Sequence, residues 1–535
     1  VFALPPKGVG AVMATGAELG YNTNASALQM ANAIFGNGVT VVGASYQGDS
    51  NSSAIYSNGD ALSPFATPGD TGVILSTGRA RDFTQSSGDP NRSTGTSTNT
   101  SGVNNDAGFN SIAGTNTYDA SILNVDFIPT GNVMTMQFTF SSEEYPEYAN
   151  SQFNDMVGVW INGTHVPLSV GTGNPSVGNV NPGNNLYVDN TGDQYNTEMD
   201  GFTLTMTLTI PVIPGVVNSI RIGIADVADS SYDSNLLIAG NSVQTRLVAI
   251  PDHQNIYVDS SSTFDVLGND HNGTGGTLTI THINGVAVVA GQSVVLPSGD
   301  TVRLNADGTL TVQTDTDVDA FNFTYTVTSS TGGSDVGMVT ISTIPCFVAG
   351  TRIATPDGEV PVESLKPGDL VLTHDDGPQP LRWIGCRTVA AEGSFAPIRI
   401  RAGTFGDHST LLVSPQHRIL IGDSLAELLF GEAEVLVAAK DLVNGRSVRV
   451  VEGGTVDYVH LLFDRHQVVY SAGLTTESFL PGPQVTPSFE RQIVEEICAI
   501  FPEIDPETGE GYSAAARRML KGYEARVWMA KGLAA

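Results

Sequence analysis

From Thr203 to Ile210 threonine alternates with an apolar residue at every step. A period of two puts every apolar side chain on one face of an extended chain, so this stretch predicts a half-buried strand. Similar signals recur over Ser121–Ile128, Val133–Phe140, Met156–Ile161, Phe202–Ile210 and Ser219–Ala225. Residues 24–36 break the pattern. Their apolar positions follow helical spacing, with Asn24 or Ser26 as the cap and Gly36 as the stop. A strand is predicted directly after this helix, from Val39. Residues 83–116 are rich in Ser, Thr, Asn and Gly and predict a mobile loop. The block 14–248 therefore reads as one antiparallel β-sandwich or jelly roll.

Pro251 marks a boundary. Residues 252–344 contain short strand patterns separated by Asn-Gly at 272–273 and 284–285, Asp-Gly at 307–308 and Gly-Gly at 332–333. Alternation within Thr309–Gln313 and Phe321–Val327 supports a small Ig-like sandwich. From 346 to about 480 the chain is again strand-rich. The tail changes period: Ser488–Phe501 and Ala514–Met529 have apolar residues at helical spacing, with Ile493, Ile497, Ile500 and Phe501 on one face. The expected architecture is mainly β, with a short helical tail over 484–535 packing on the preceding 346–482 domain.

Composition sharpens this picture. The formal net charge is −31, which argues against a nucleic-acid partner and against an anionic membrane surface. Up to residue 345 the only cations are Lys7, Arg79, Arg81, Arg92, Arg221, Arg246 and Arg303. A long, acidic, Lys-poor stretch fits a secreted or cell-surface protein. No apolar run is long enough for a transmembrane helix. Met13 reads as a natural start, with 1–12 as upstream sequence, and no cleaved signal peptide is expected. The three cysteines, Cys346, Cys386 and Cys498, do not make a disulfide framework. Cys386 and Cys498 are expected to be buried packing residues.

Cys346 opens the run Cys346-Phe-Val-Ala-Gly-Thr, and Ser414-Pro-Gln-His and Asp464-Arg-His follow it. A cysteine at an abrupt domain start, with Ser-x-x-His downstream, is the layout of a self-cleaving peptide bond. With Val362-Glu-Ser-Leu-Lys-Pro-Gly-Asp-Leu-Val and Tyr458-Val-His-Leu-Leu-Phe, these motifs make residues 346–482 resemble a Hint domain, the all-β self-processing fold of Hedgehog proteins, inteins and bacterial intein-like proteins. The resemblance implies attack of Cys346 on the carbonyl of Pro345, giving a thioester and freeing the Cys346 amine. Thiolate is a strong nucleophile, but an amide is a poor electrophile, so its nitrogen must be protonated and its oxyanion stabilised. His417 is the candidate acid. Ser414 could donate to the oxygen or hold the geometry; the family usually has Thr there. His466 and His460 resemble the second histidine region, and Asp464 could orient His466 or act as an acid or base. The His-Asn ending of inteins is missing: the matching stretch is Leu474-Thr-Thr-Glu-Ser-Phe. One-sided cleavage of the Pro345–Cys346 bond is therefore expected, not splicing. A crowded prolyl thioester should make it slow or triggered. No cofactor is needed; the acyl acceptor is water or an amine.

Thr139-Phe-Ser-Ser-Glu-Glu-Tyr-Pro, Phe153-Asn-Asp-Met-Val-Gly-Val-Trp and Ile224-Ala-Asp-Val-Ala-Asp-Ser-Ser-Tyr-Asp make the first block resemble the choice-of-anchor L domain, found in bacterial surface and secreted proteins. Glu143, Glu144, Asp155, Asp226, Asp229 and Asp233 cluster in these motifs and are candidate calcium ligands. Solvated turn carboxylates are the alternative. Adjacent Glu143 and Glu144 point apart and cannot flank one glycosidic bond. Residues 252–344 resemble bacterial Ig-like or cadherin-like spacers through Phe264-Asp-Val-Leu-Gly-Asn-Asp and Asn305-Ala-Asp-Gly-Thr-Leu-Thr-Val. The expectation is a bacterial surface protein with a self-processing C-terminal module and a surface or matrix ligand; the rival is a structural or adhesive protein with an inactive Hint-like domain.

Overall fold

The computed structural model describes residues 2–3, 14–93, 95–149, 153–167, 176–177, 180, 184–256, 261–314, 321–342, 346–391, 396–480, 500–501, 512–513, 515–520, 525 and 528–529. The chain divides into two compact units. The first is Val1–Asp252 with Thr263–Val312 and Phe321–Thr340, and the second is mainly Ile341–Ala535. Met13, Pro345, Cys498 and most of 484–511 lie outside the described residues.

In the first unit two sheets face each other. One carries the strands Val133–Ser142, Ser234–Ala239 and Thr71–Ser76 at its centre. The other has the order Val39–Gln47, Thr117–Pro129, Asn218–Val227, Met156–Ile161, Thr164–His165. Phe138 and Phe140 of the first sheet and Val125, Phe127, Ile222 and Val159 of the second meet in one buried cluster. This is the alternating β-sandwich predicted from period two. The helix is Ala27–Ile34. Ser26 caps it in a reciprocal capping box with Gln29 and it buries Met30, Ala31 and Ile34.

The predicted strand through Thr203 is broken. Gly201–Thr203 and Met206–Pro211 both pair with Val133–Ser142, but their registers differ by one residue. The Thr203 hydroxyl accepts the Phe140 N–H at 3.0 Å, so a side chain replaces the missing ladder bond.

The stretch predicted as a mobile loop is tied down by distant carboxylates. Glu143 accepts the Thr96 N–H at 2.9 Å, Asp233 that of Thr98 at 2.7 Å, and Glu198 those of Arg92 and Ser93 at 3.0 and 2.9 Å. It also holds a short helix, Ala107–Ala113, capped by Asp106. Backbone amides without a ladder partner must find acceptors, and here side-chain carboxylates serve.

In the middle segment, Phe321–Ser329 pairs with Leu278–Ile283, and Ser293–Val295 with Thr301–Leu304. Phe2 and Ala3 pair in parallel with Val294 and Val295.

The second unit contains a six-stranded sheet in which Phe347–Val348 lies between Thr455–Leu462 and Leu411–Val413. A larger sheet includes Val468–Ser471, Leu474–Glu477, Arg418–Ile421 and Val435–Ala438. The tail follows the expected helix over Ala514–Met529 only in part: among its described residues Ala525, Trp528 and Met529 are helical. Arg518–Met519 is a strand, parallel to Val435–Leu436, and Leu520 continues the bonding to the Leu436 carbonyl at 2.9 Å. The exposed edge of the Val435–Ala438 strand offers ladder groups, and these override helical periodicity. Packing on the preceding domain does occur among the described tail residues: Leu520, Ala525 and Trp528 join a core cluster with Ile419 and Val437.

Candidate active site

The register of the six-stranded sheet builds the site. Phe347 lies opposite Val413 on one side and Val459 on the other, and Val348 lies opposite Tyr458. One step back along the same registers, Cys346 stands between Ser414 and His460. Residues directly opposite in neighbouring strands share a face, so the three side chains are forced together. The Cys346 N–H donates to Ser414 Oγ at 2.8 Å, and the Ser414 N–H returns a bond to the Cys346 carbonyl at 3.0 Å. On the other side Cys346 Sγ lies 3.6 Å from His460 Nε2. All three residues are buried.

His417 enters through a tight turn. Pro415 follows Ser414, and the His417 N–H donates to the Ser414 carbonyl at 3.1 Å, closing a four-residue turn with proline at its second position. The imidazole is fully buried and packs on the Phe347 ring at 4.3 Å between centroids. Among the described residues neither ring nitrogen has a hydrogen-bond partner. Burial, with the Arg418, His460 and His466 charges adding to it, holds His417 down to about 3; the nearby Cys346 backbone offsets this only in part. His417 is thus neutral at physiological pH and keeps an unused N–H beside the reacting residue.

His466 and Asp464 are placed differently from expectation. His466 Nδ1 accepts the Ala516 N–H at 2.9 Å, and Nε2 donates to the Ser478 carbonyl at 3.2 Å. Those bonds fix a neutral tautomer, and burial holds the ring at about 4. Asp464 is largely exposed and pairs with Arg382 at 3.2 Å, so it does not orient His466. Beside His466 sits a residue that sequence reasoning missed. Glu477 is completely buried and accepts the Arg418 N–H at 2.8 Å and its guanidinium at 3.2 and 3.3 Å. The visible signal was an acidic residue in Leu474-Thr-Thr-Glu-Ser-Phe, the stretch that stands where inteins have His-Asn. Cys386 is exposed, not buried as expected; it lies on Trp383–Ala390, the edge strand of the six-stranded sheet.

The six acidic candidates of the first unit form no such centre. Among the described residues no three Asp, Glu, His or Cys side chains are arranged to hold a metal ion. Glu143 and Asp233 bind the loop amides named above. Asp155 accepts the Val227 N–H at 3.0 Å and the Ser234 hydroxyl at 2.7 Å. Asp229 accepts the Ser231 N–H at 3.1 Å. Burial pushes Glu143 up to about 8 and Asp233 to about 7. It also raises Glu144, Asp155 and Asp226; the Asp155 charge adds to the rise of Glu144 and Asp226, and a hydrogen bond from Asp226 offsets part of that of Asp155.

The two units should therefore respond to pH in opposite directions. Carboxylates raised in the folded state stabilise fully below about pH 4, and that contribution is lost as pH rises through 7–8. His417 and His466 are lowered in the folded state, so their contribution is complete above about 6.5 and fades as pH falls toward 4–3. Calorimetry at pH 5 and pH 8 should show the first unit's transition several kcal/mol weaker at pH 8, at about 1.4 kcal/mol per pH unit for each group. The two histidines should weaken the second unit's transition at pH 5 by about 2 kcal/mol each, with the raised carboxyl of Glu477 opposing part of that change. Transitions that shift together would contradict these assignments.

The fold and the Cys346 row define the class: a mainly β, multidomain protein whose second unit holds a buried cysteine between a serine and a histidine. Family comparison then gives the particulars. Residues 345–483 match the Hint domain, 20–244 the choice-of-anchor L domain, and 244–342 a bacterial Ig domain, in the order expected from the sequence. Similar solved structures include a bacterial intein-like domain from Clostridium thermocellum, at 17% identity, covering 25% of this chain and 97% of that one, with a TM-score of 0.18. The MchDnaB-1 intein is similar at 15% identity over 24% and 98% of the two chains, TM-score 0.18, and the gp41-1 intein at 11% over 25% and 97%, TM-score 0.17. No curated protein matches the chain. Among the described residues no helix is long and apolar enough to cross a membrane.

Proposed function

We propose that this is a bacterial surface or extracellular protein that cuts itself once, at the bond preceding Cys346. The observation that carries the reading is the double hold on Cys346, its N–H on Ser414 and its thiol on His460. The amide nitrogen that must leave and the sulfur that must attack belong to one residue, and each has its own polar partner.

In this reading His460 Nε2 takes the thiol proton, and the sulfur adds to the Pro345 carbonyl carbon. The carbon–nitrogen bond then breaks, and the proton passes to the Cys346 nitrogen. The net change is a proton moved from sulfur to nitrogen and an amide exchanged for a thioester. Ser414 keeps that nitrogen in place. The neutral His417 N–H is available to the charge that develops during the transfer. Water or an amine then takes the acyl group and restores the thiol. The choice-of-anchor L and bacterial Ig domains support a surface or extracellular setting for the released part.

The reading predicts fragments ending at Pro345 and beginning at Cys346, formed faster with added thiol and absent in Cys346→Ala. Equal fragmentation of both chains would overturn it.

A further inference from the structure

The outer face of the first unit's five-stranded sheet carries a trough of about 560 Å³ that nothing in the cleavage chemistry uses. Register explains its lining. Ser45, Asn124, Arg221 and Trp160 are paired in sequence across four neighbouring strands, so their side chains emerge in one row. Asp126 and Ser219 pair with each other two positions along and make a second row on the same face. Four strands at about 4.8 Å spacing give a channel roughly 14 Å long across the sheet. Side chains of Val125 and Ile220 point the other way, into the core, so the floor is backbone. The far end of the face is closed by Phe109, which packs edge-on against Trp160 at 5.1 Å.

The polar groups are held in advance. Arg221 lies over the Trp160 ring at 4.6 Å and pairs with Asp106 at 2.6 Å. Asp106 is itself fixed by the N–H groups of Gly108 and Phe109 at 2.9 and 3.1 Å. Asn124 Nδ2 is shielded from solvent and has no hydrogen-bond partner among the described residues. A buried amide donor without an acceptor costs about 1–3 kcal/mol, which a ligand oxygen would recover. The space above is open: a Cβ at Gly43 or Gly163 would meet nothing within 4 Å.

We infer that this trough binds a neutral saccharide. Its lining alternates amide, carboxylate, hydroxyl and guanidinium groups, which match the paired donors and acceptors of vicinal hydroxyls. Arg221 is already neutralised by Asp106, and the chain's charge is −31, so an anionic ligand is disfavoured. The Asp126 carboxylate in the lining and the Arg221–Asp106 ion pair disfavour a lipid, which could not satisfy them. A peptide adding as a strand would pair at the free edge of Val39–Gln47, not lie in the trough, because the inner strands beneath it are already paired on both sides. Rigid, prepositioned groups lose little entropy on binding.

The test uses the full chain on a printed array of neutral and acidic oligosaccharides, followed by calorimetric titration with the neutral oligosaccharide retained best. Asn124→Ala and Gly43→Trp should each weaken that binding at least tenfold. Gly43→Trp fills the trough without touching the core, and its melting temperature should stay at the parent value. The inference is overturned if no neutral oligosaccharide is retained, if only acidic ones are, or if both variants bind as tightly as the parent.

Discussion

His460→Gln is expected to slow cleavage by about 10²–10⁴-fold, the usual contribution of a positioned acid–base group, or about 3–5 kcal/mol in the barrier. Glutamine keeps a polar group near Cys346 Sγ but cannot take its proton. The substitution should leave the melting temperature nearly unchanged, since glutamine retains polarity and much of the packing against Phe479, whose ring lies 5.4 Å from that of His460. The loss should shrink as pH rises, because hydroxide then makes the thiolate that His460 no longer makes. His466→Gln is the matched control. Both nitrogens of His466 are already bonded, to Ser478 and Ala516, so its loss should lower stability more than rate. Equal rates for His460→Gln and the parent chain would remove His460 from the mechanism.

The second large effect is structural. Glu477→Ala should destabilise the second unit by about 3 kcal/mol, the low end for breaking a buried ion pair, because Arg418 is partly exposed and can reach water. For a unit of this size that lowers the melting temperature by roughly 6–12 °C. Burial raises the Glu477 carboxyl and the Arg418 guanidinium opposes that rise. The substitution also strips the Arg418 N–H of its acceptor, next in the chain to His417. Glu477→Gln keeps an acceptor and should cost less. A melting temperature for Glu477→Ala within a degree or two of the parent would show that the pair holds little.

Much of this molecule was legible in its sequence, and the limits have physical causes. Period-two alternation marked the strands because each has one face in a core. The break at Thr203 escaped, because a hydroxyl standing in for a ladder bond leaves no trace in an alternating pattern. Residues 83–116 were misread for a related reason: the acceptors that hold them are distant in sequence, from 47 positions for Glu143 and Thr96 to 135 for Asp233 and Thr98. Two of the carboxylates read as candidate calcium ligands, Glu143 and Asp233, each give one oxygen to these distant bonds.

In the site, Cys346, Ser414 and His417 stood out because a cysteine at a domain start and a four-residue turn are local features. Which of His460 and His466 meets Cys346 is a matter of register. Both lie in one stretch, and only the pairing of Phe347 with Val459 decides that His460 meets Cys346. Glu477 was hidden for the same reason, since its partner Arg418 is 59 positions upstream. The tail was read by periodicity, and a strand edge that the sequence does not advertise captured Arg518 and Met519.

The most direct test is an intact-mass time course of the full chain in hydroxylamine, beside Cys346→Ala under the same conditions. Hydroxylamine attacks thioesters far faster than amides and traps the acyl group. The account predicts two products, residues 1–345 ending in a hydroxamic acid on Pro345 and residues 346–535 beginning with a free Cys346 amine, with none in Cys346→Ala. A chain that stays intact, or that breaks at any other bond, would contradict it.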